Sequence, residues 1–356
     1  MFSSRLNVAL TYNVKPESES FLENLSPNLK KRINQQINNV DTFAEWDSWD
    51  TIDAVKSALE IFHNVSLVEA DLSSFEILKS LDPDIVFNIA EGFFGESREA
   101  QIPAILDMLQ IPYTGSDPLT LATCLDKART KEILSYYAIP TAPFLIANEI
   151  DQIKNLKLTF PLFVKPVWEG SSKGIFSSSF VSNTKELSKQ VERIITEYSQ
   201  PALIEEFLSG REFTVAILGN GDEAEVLPIV EIEYKDFPEG FIPIYSYEAK
   251  WIIDTKENPL DVFSCPANLS PVLETKIRQV ALNAYKTLRC RDWSRIDIRL
   301  NADNIPNIIE INPLPGILPD PKENSCFPKA ARTAGLSYDE MLNKVLFAAA
   351  KRNNLL

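Results

Sequence analysis

"SRIDIRLNADNIPNIIEINPLPG", residues 294–316, decides how the rest of the chain is read. Two apolar runs flank a polar turn, NADNIP, and each run is broken by a polar residue at every second position. Side chains alternate across a strand, so Arg295, Asp297 and Arg299 share one face, and Glu310 and Asn312 share one face for the same reason. Antiparallel pairing through the turn would bring Asp297 within reach of Glu310 and Asn312. Three oxygen donors, two of them anionic, suit a hard cation such as Mg²⁺ and not a soft metal. Mg²⁺ leaves much of its shell to water and substrate phosphate. The plainer reading places these acids on a solvated face, but isoleucines on both sides of them argue for a buried sheet. Arg295 would then meet negative charge that develops beside the metal. Two prolines and Gly316 end the second strand straight after Asn312, which turns the chain out of the sheet.

Two upstream stretches have the same character. In "FVKPVWEGSSKGIF" a strand delivers Lys165, and a turn with Gly170, Ser171, Ser172 and Gly174 follows. Small residues let backbone N–H groups approach phosphate oxygens. No G-K-[ST] is present and no helix follows directly, so this is not a P-loop; taken alone, a plain hairpin turn fits equally well. In "LIEEFLSGREFTV", Glu205 and Glu206 end one strand and Glu212 begins the next. Such acids can accept hydrogen bonds from an adenine amine or ribose hydroxyls, or they can be surface charges.

The first third alternates strands and helices. "LNVALTYNV", "VSLVEA" and "DIVFNIA" read as strands, and "WDTIDAVKSALEIF" and "REAQIPAILDMLQ" as helices. Short continuous apolar strands between helices predict an open parallel sheet covered on both faces. The polar stretch from Lys15 to Asp41 reads as an inserted surface segment. A second unit opens near Pro118 with one long helix, "TLATCLDKARTKEILSYY". It continues through strands "APFLIA", "PLFVKPV", "IFSSS" and "PALIEEFL", with the helix "TKELSKQVERIITEY" among them. A third unit opens at "REFTVAILG". The Pro- and aromatic-rich stretch from Asp236 to Asn268 reads as a lid. Ser270-Pro271 then caps the amphipathic helix "PVLETKIRQVALNAYKTLR". The expected division is 1–118, 119–208 and 209–356.

At 356 residues the chain calls for two or three domains, and 45% hydrophobic with 24% charged residues is a globular balance. A net charge of −15 argues against a nucleic-acid partner. No apolar run approaches the roughly 20 residues of a membrane span. The N-terminus reads as a first strand, not a signal peptide, so a cytoplasmic location is expected. The four cysteines form no C-x-x-C pair and read as reduced thiols. The single histidine, His63, lies at a helix-to-strand joint and reads as structural.

In combination these stretches resemble the D-alanine–D-alanine ligases of the ATP-grasp superfamily. The signals, in order, are "EGFFGESREAQ", "IPYTGSD", "DKARTK", "VKP…EGSSKG", "EEFLSGREFTVAIL", "YEAKW", "CPA", "RIDIRL", "EINPLPG" and "PKAARTAGLSYDEM". The resemblance implies an α/β ATP-grasp fold, with an N-terminal open parallel α/β domain followed by two α+β subdomains that sandwich ATP. It implies that Lys127 and Lys165 contact ATP phosphates under a glycine-rich turn carrying Ser171 and Ser172. Glu205 would meet the adenine amine, the Glu206 to Leu208 backbone the adenine edge, and Glu212 the ribose. Lys250 would lie near the nucleotide. Asp297, Glu310 and Asn312 match the residues that hold two Mg²⁺ ions, with Mn²⁺ as an alternative. Arg295 matches the arginine that stabilises the tetrahedral species, and Ser325 the serine that grips the second amino acid's carboxylate. Glu45 matches the acid that binds the first amino acid's ammonium, with Ser171 also turned towards substrate. A homodimer is what the family suggests.

The chain departs from the family pattern in four places. The N-terminal G-G-x-S-x-E loop is missing. Glu91 stands where the family has a histidine. Trp251 stands where it has a tyrosine, whose hydroxyl would join a hydrogen-bond triad over the first substrate. N-T-x-P-G is N-P-L-P-G, with extra residues before Ser325. All four fall where the amino-acid substrates would sit. The implied activity is D-alanine–D-alanine ligation for cell-wall precursor synthesis. An ATP-grasp ligase joining other amino acids or a peptide stays open. A nucleotide-binding protein without catalysis is opposed by the intact set of Lys165, Arg295, Asp297, Glu310 and Asn312.

Overall fold

The computed structural model describes residues 5–16, 43–92, 94–235, 237, 242–246, 249 and 262–356. Lys250 and Trp251 lie outside them, as do most of the expected lid and the polar insertion beyond Pro16. Three sheets organise the described chain. In the first, β1 (Asn7–Tyr12) lies between β2 (Asn64–Glu69) and β3 (Ile85–Asn88), and both pairings are parallel. All four residues of β3 are buried, as a sheet covered on both faces requires. Helix α1 (Trp49–Glu60) turns Ile52, Val55 and Leu59 inward from one face. Helices α2 (Ser74–Leu81) and α3 (Gln101–Leu109) follow β2 and β3. His63 is buried where α1 meets β2, and its Nδ1 accepts a hydrogen bond from the Leu6 N–H at 3.3 Å.

The long helix expected from Thr120 onwards is two helices, α4 (Pro118–Leu125) and α5 (Lys127–Tyr136). Asp126 makes the break. Its backbone is extended, and its carboxylate accepts from the Arg129 N–H at 2.9 Å as an N-cap. The break matters because it places Lys127 on the first turn of α5, with its backbone N–H donating to Val167 O at 3.2 Å.

The second sheet is antiparallel. Its strands β4 (Phe144–Ala147), β5 (Leu162–Pro166), β6 (Phe180–Val181) and β7 (Ala202–Glu206) stand in the order β4-β7-β5-β6. Helix α6 (Thr184–Arg193) backs it, packing Leu187 and Val191 on Leu162, Val164 and Ile204. The strand expected at "IFSSS" is instead a 3-10 turn over Ser177–Ser179, with the strand beginning at Phe180. There the Phe176 N–H donates to Ser179 Oγ at 3.1 Å, so a serine hydroxyl takes the place of a ladder partner.

The third sheet comprises β8 (Glu212–Leu218), β9 (Glu225–Val226), β10 (Val230–Ile232), β11 (Phe263–Ser264), β12 (Trp293–Leu300) and β13 (Pro306–Asn312). Its order is β11-β10-β8-β12-β13, with β9 pairing on β8. Helix α7 (Pro271–Thr287) starts at the Ser270 cap and buries Ile277, Ala281 and Ala284 against Val215, Ile296 and Ile298. Helices α8 (Cys326–Thr333) and α9 (Tyr338–Arg352) close the chain. Trp293 joins the first and third sheets: its ring meets Phe87 and Phe327 edge-on, at 5.7 Å between centroids in each case. The second sheet is tied in by Ile308 N–H donating to Pro140 O at 2.8 Å, and by Thr141 Oγ1 donating to Ile308 O at 2.9 Å.

The β12–β13 pair adopts the register that the alternation implied, with Arg295 opposite Asn312 and Asp297 opposite Glu310. The next pair is Ile298 with Ile308, which leaves Ile309 as an extra residue in a β-bulge. All four cysteines are free. No described helix is long and apolar enough to cross a membrane.

Candidate active site

A cavity of about 500 Å³ opens between the three sheets, with Lys165, Glu205, Arg295 and Glu310 among its walls. The bulge at Ile309 turns that residue and Glu310 into it together. Glu310 Oε1 lies 2.7 Å from Lys127 Nζ. Burial raises the Glu310 pKa, but Lys127 and Lys165 outweigh it and hold the group below its ordinary value. Along β12, Arg295 donates twice to Asp297, Nε to Oδ1 at 3.0 Å and Nη2 to Oδ2 at 2.9 Å. Asn312 Nδ2 donates to Asp297 Oδ2 at 3.2 Å. Asp297, Glu310 and Asn312 therefore converge.

No three His, Cys, Asp or Glu side chains among the described residues form a metal cluster by themselves. The set is two carboxylates and an amide oxygen, the hard donors that Mg²⁺ accepts when substrate phosphate and water complete its shell. Each carboxylate already has a cationic neighbour, so a divalent ion arriving with polyphosphate would exchange charge for charge. The donors fit that group.

Lys165 and Glu205 pair beside this set. Lys165 Nζ lies 2.8 Å from Glu205 Oε2, and Lys131 Nζ lies 2.5 Å from Oε1. Burial alone would raise the Glu205 pKa; the two ammonium groups bring it down to about 2. Lys165 is buried, yet Glu205 and Glu310 hold its pKa above the ordinary value. Each Glu205 oxygen keeps a second lone pair, so an adenine amine could still be received. Lys131 received no role from the sequence, although the signal was there: it stands four residues after Lys127, on the same face of α5. Glu206 leaves β7 with Oε1 accepting from the Thr159 N–H at 2.9 Å, and Leu208 lines the cavity. Glu212 Oε2 accepts from Arg299 Nη1 at 2.9 Å and from the Tyr234 hydroxyl at 2.8 Å.

The glycine-rich turn has Ser171 and Ser172 at φ +47° and +62°. That left-handed backbone is uncommon for residues with a side chain and marks a turn held by its surroundings. Ser172 Oγ donates to Tyr245 O at 3.0 Å. The turn is gripped by Glu45. Its Oε1 accepts from Arg98 Nη2 at 2.6 Å and from the Gly170 N–H at 2.8 Å, and its Oε2 lies 3.3 Å from Lys173 Nζ. Arg98 and Lys173 also meet Glu169, at 3.4 and 2.7 Å. Burial would raise the Glu45 pKa, but Arg98 and Lys173 lower it to about 2. Glu45 thus reaches the cavity with its carboxylate already held by protein donors. Neither Arg98 nor Lys173 was picked out from the sequence.

Other acids near this end behave differently. Asp47 and Glu99 each have a pKa pushed up to about 7, with burial the largest cause. Glu91 is also raised, by burial and then by Glu99 and Glu45. At the far wall, Ser325 Oγ donates to Gly316 O and accepts from the Leu318 N–H, both at 3.2 Å.

Residues 133–347 match the family model described as D-ala D-ala ligase C-terminus. An uncharacterized protein of Sinorhizobium fredii is 36% identical over 316 residues, which cover 86% of this chain and 89% of that protein. The D-alanine–D-alanine ligase of Bordetella petrii is 34% identical over 269 residues, 75% of this chain and 76% of that enzyme. The ligase of Pelotomaculum thermopropionicum is 30% identical over 310 residues, 84% and 91%. The crystal structure of the D-alanine–D-alanine ligase from Bacillus anthracis complexed with ATP superposes with a TM-score of 0.65 at 22% identity. It covers 98% of this chain and 99% of that one, a likeness of fold. The chain belongs to the D-alanine–D-alanine ligase family, ATP-dependent ligases built on the ATP-grasp fold.

Proposed function

We propose that the protein uses ATP to activate an amino-acid carboxylate and join it to the amine of a second amino acid, with D-alanine the first candidate on both sides. One observation carries this reading: Lys127–Glu310, Arg295–Asp297 and Lys165–Glu205 converge on one cavity. Adenine sits against Glu205 and the Glu206–Leu208 backbone, and the ribose at Glu212. The phosphates lie between Lys127, Lys165 and the Ser171–Ser172 turn, and the family resemblance assigns Lys250 to the nucleotide as well. Asp297, Glu310 and Asn312 hold the divalent cations, Mg²⁺ or Mn²⁺. When bound, these supply positive charge at the phosphoryl oxygens. The chain divides at 118 and 208, and the two later units enclose the nucleotide.

A carboxylate and an amine do not condense in water, because oxide is a poor leaving group. Attack of the first carboxylate on the γ-phosphorus releases ADP and makes an acyl phosphate. Lys127 and Lys165 offset the charge moving through that transfer. The second amine, as its free base, then attacks the acyl carbon. Arg295 stabilises the oxyanion, for which one well-placed donor is typically worth ~2.7–4 kcal/mol. Phosphate leaves with the carbon–oxygen bond pair, the nitrogen loses its proton, and an amide remains. Ser325, fixed between Gly316 and Leu318, takes the second substrate's carboxylate.

The second reading is ligation of another amino acid or a peptide. Arg98 on Glu45 and Glu91 in place of a histidine favour it, since both alter the first-substrate end. Phosphate release with ATP and Mg²⁺ across D- and L-amino acids, with product masses, separates the two. Dipeptide from D-alanine alone supports the first; turnover only with another acid supports the second. ATP binding without release in every mixture leaves a nucleotide-binding protein. A homodimer is proposed on family grounds, and light scattering tests it.

A further inference from the structure

We propose that Asp47, and not Glu45, receives the ammonium group of the amino acid whose carboxylate is activated, and that Glu45 is a positioning residue for the glycine-rich turn. The assignment rests on the ligase reading above.

Glu45 already accepts from Arg98 and Gly170 on one oxygen and faces Lys173 with the other. The fit to the turn is close: a Cβ on Gly170 would stand 2.6 Å from Glu45 Oε1. A side chain so placed spans from the segment before α1 to the loop after β5 and sets where Ser171 and Ser172 lie. An incoming ammonium would have to compete with a guanidinium at 2.6 Å and an ammonium at 3.3 Å.

Asp47 stands two residues on and lines the same cavity. Its backbone is pinned beside β1: its N–H donates to Asn13 O at 3.1 Å and its carbonyl accepts from the Lys15 N–H at 2.8 Å. Its carboxylate accepts no hydrogen bond from any described residue. Among the described residues, the charged and titratable groups that act on it or feel it are Lys15, Glu91 and Tyr338. Of these only Lys15 is basic, and Tyr338 spends its hydroxyl proton on Ile317 O at 2.7 Å. Burial without a donor destabilises the carboxylate, and a substrate ammonium would restore both charge and hydrogen bond. Glu91 stands at this end where the family has a histidine, and burial with Glu99 and Glu45 beside it raises its pKa, so it brings no positive charge to compete with an incoming ammonium.

The test uses the full chain, the amino acid that gives the strongest phosphate release, and its desamino analogue, the same carboxylic acid with hydrogen in place of the amine. For Asp47→Asn, the KM for the amino acid should rise about 10- to 100-fold, the loss expected for a hydrogen bond to a charged group. The KM for ATP should change less than about twofold, and the preference for the amino acid over its analogue should fall by the same factor as the amino-acid KM rises. Asp47→Glu, which keeps the charge, should recover part of that preference, a result misfolding could not give. Glu45→Gln should lower kcat and the melting temperature while leaving the preference intact. The assignment is overturned if Asp47→Asn keeps the preference, or if Glu45→Gln abolishes it selectively. A wild-type chain that releases no phosphate with any amino acid overturns the ligase reading itself, a result visible before any variant is made.

Discussion

Lys127 Nζ and Glu310 Oε1, brought together from the first turn of α5 and the bulged strand β13, lie 2.7 Å apart at the edge of the cavity. In the ion pair the two charges offset each other until a phosphate and a cation replace them. Gln at position 310 keeps an oxygen for Lys127 but removes the charge a divalent ion needs. Glu310→Gln should therefore cut phosphate release by at least about 10²-fold, as loss of a group stabilising transferred charge does, with a modest fall in melting temperature. Asp297→Asn should behave alike. Near-normal turnover in either variant at saturating Mg²⁺ would remove that residue from the cation site.

Much of this was legible because strand alternation is strict. Arg295, Asp297, Glu310 and Asn312 could be placed on facing strands from period two alone, and their cross-strand partners follow that rule. The bulge at Ile309 was not legible: an extra residue leaves no mark when isoleucines fill the positions around it. Nor was the break at Asp126, because an acid inside a helical pattern looks like a surface residue until its carboxylate caps Arg129. The grip of Arg98 and Lys173 on Glu45 joins residues 53 and 128 positions apart in the chain, a contact no local pattern encodes. Lys131 did carry a signal, its place on the face of Lys127, but a lysine four residues from another on a helix ordinarily reads as a solvated pair, and here it is 1% exposed.

Glu205 is shared by two lysines, and that predicts a stability effect separate from catalysis. Glu205→Gln would remove the carboxylate that pairs both buried lysines, leaving Lys165 only the weaker pull of Glu310 and Asp297. Loss of one partner from a buried ionic set costs ~3–5 kcal/mol, so the variant should melt well below the parent in a thermal scan. The parent has its own acid limit. The Glu205 pKa is about 2 when folded against an ordinary 4.5, so its contribution is complete above about pH 4.5 and is lost as pH falls towards 2. An unchanged melting temperature for Glu205→Gln at pH 7 would mean the lysines find other partners.

Glu99 predicts the opposite slope. Burial raises its pKa to about 7 from an ordinary 4.5, and Asp47 shifts to about 7 from 3.8. A carboxyl that is easier to protonate when folded contributes fully below its ordinary pKa and loses that contribution as pH rises through 7. Between its ordinary pKa and about 7 each such group lowers stability by up to about 1.4 kcal/mol per pH unit, and above pH 7 the loss levels off. The melting temperature should therefore be highest in acid solution near pH 4.5, fall as the pH rises towards 7, and level off above it. Glu99→Gln should flatten part of that fall. Parallel melting curves against pH for the variant and the parent would show that Glu99 ionises normally in the fold.

Arg295 offers the prediction that divides the reaction. Its guanidinium grips Asp297 through two nitrogens, at 3.0 and 2.9 Å, and a lysine ammonium cannot reproduce that fork. Arg299, the next basic residue on the same face of β12, cannot stand in, because its Nη1 is held by Glu212 at 2.9 Å. Arg295→Lys keeps the positive charge opposite Asp297, so the fold and ATP binding should survive. If Arg295 serves the oxyanion formed when the amine attacks, amide formation should drop by roughly 10²–10³-fold, the usual effect of losing one such donor. Phosphate release should drop less, because the acyl phosphate would still form and water would intercept it. The ratio of phosphate released to amide formed should therefore rise well above one. A ratio that stays at one while both rates fall together would place Arg295 on the phosphoryl-transfer step instead.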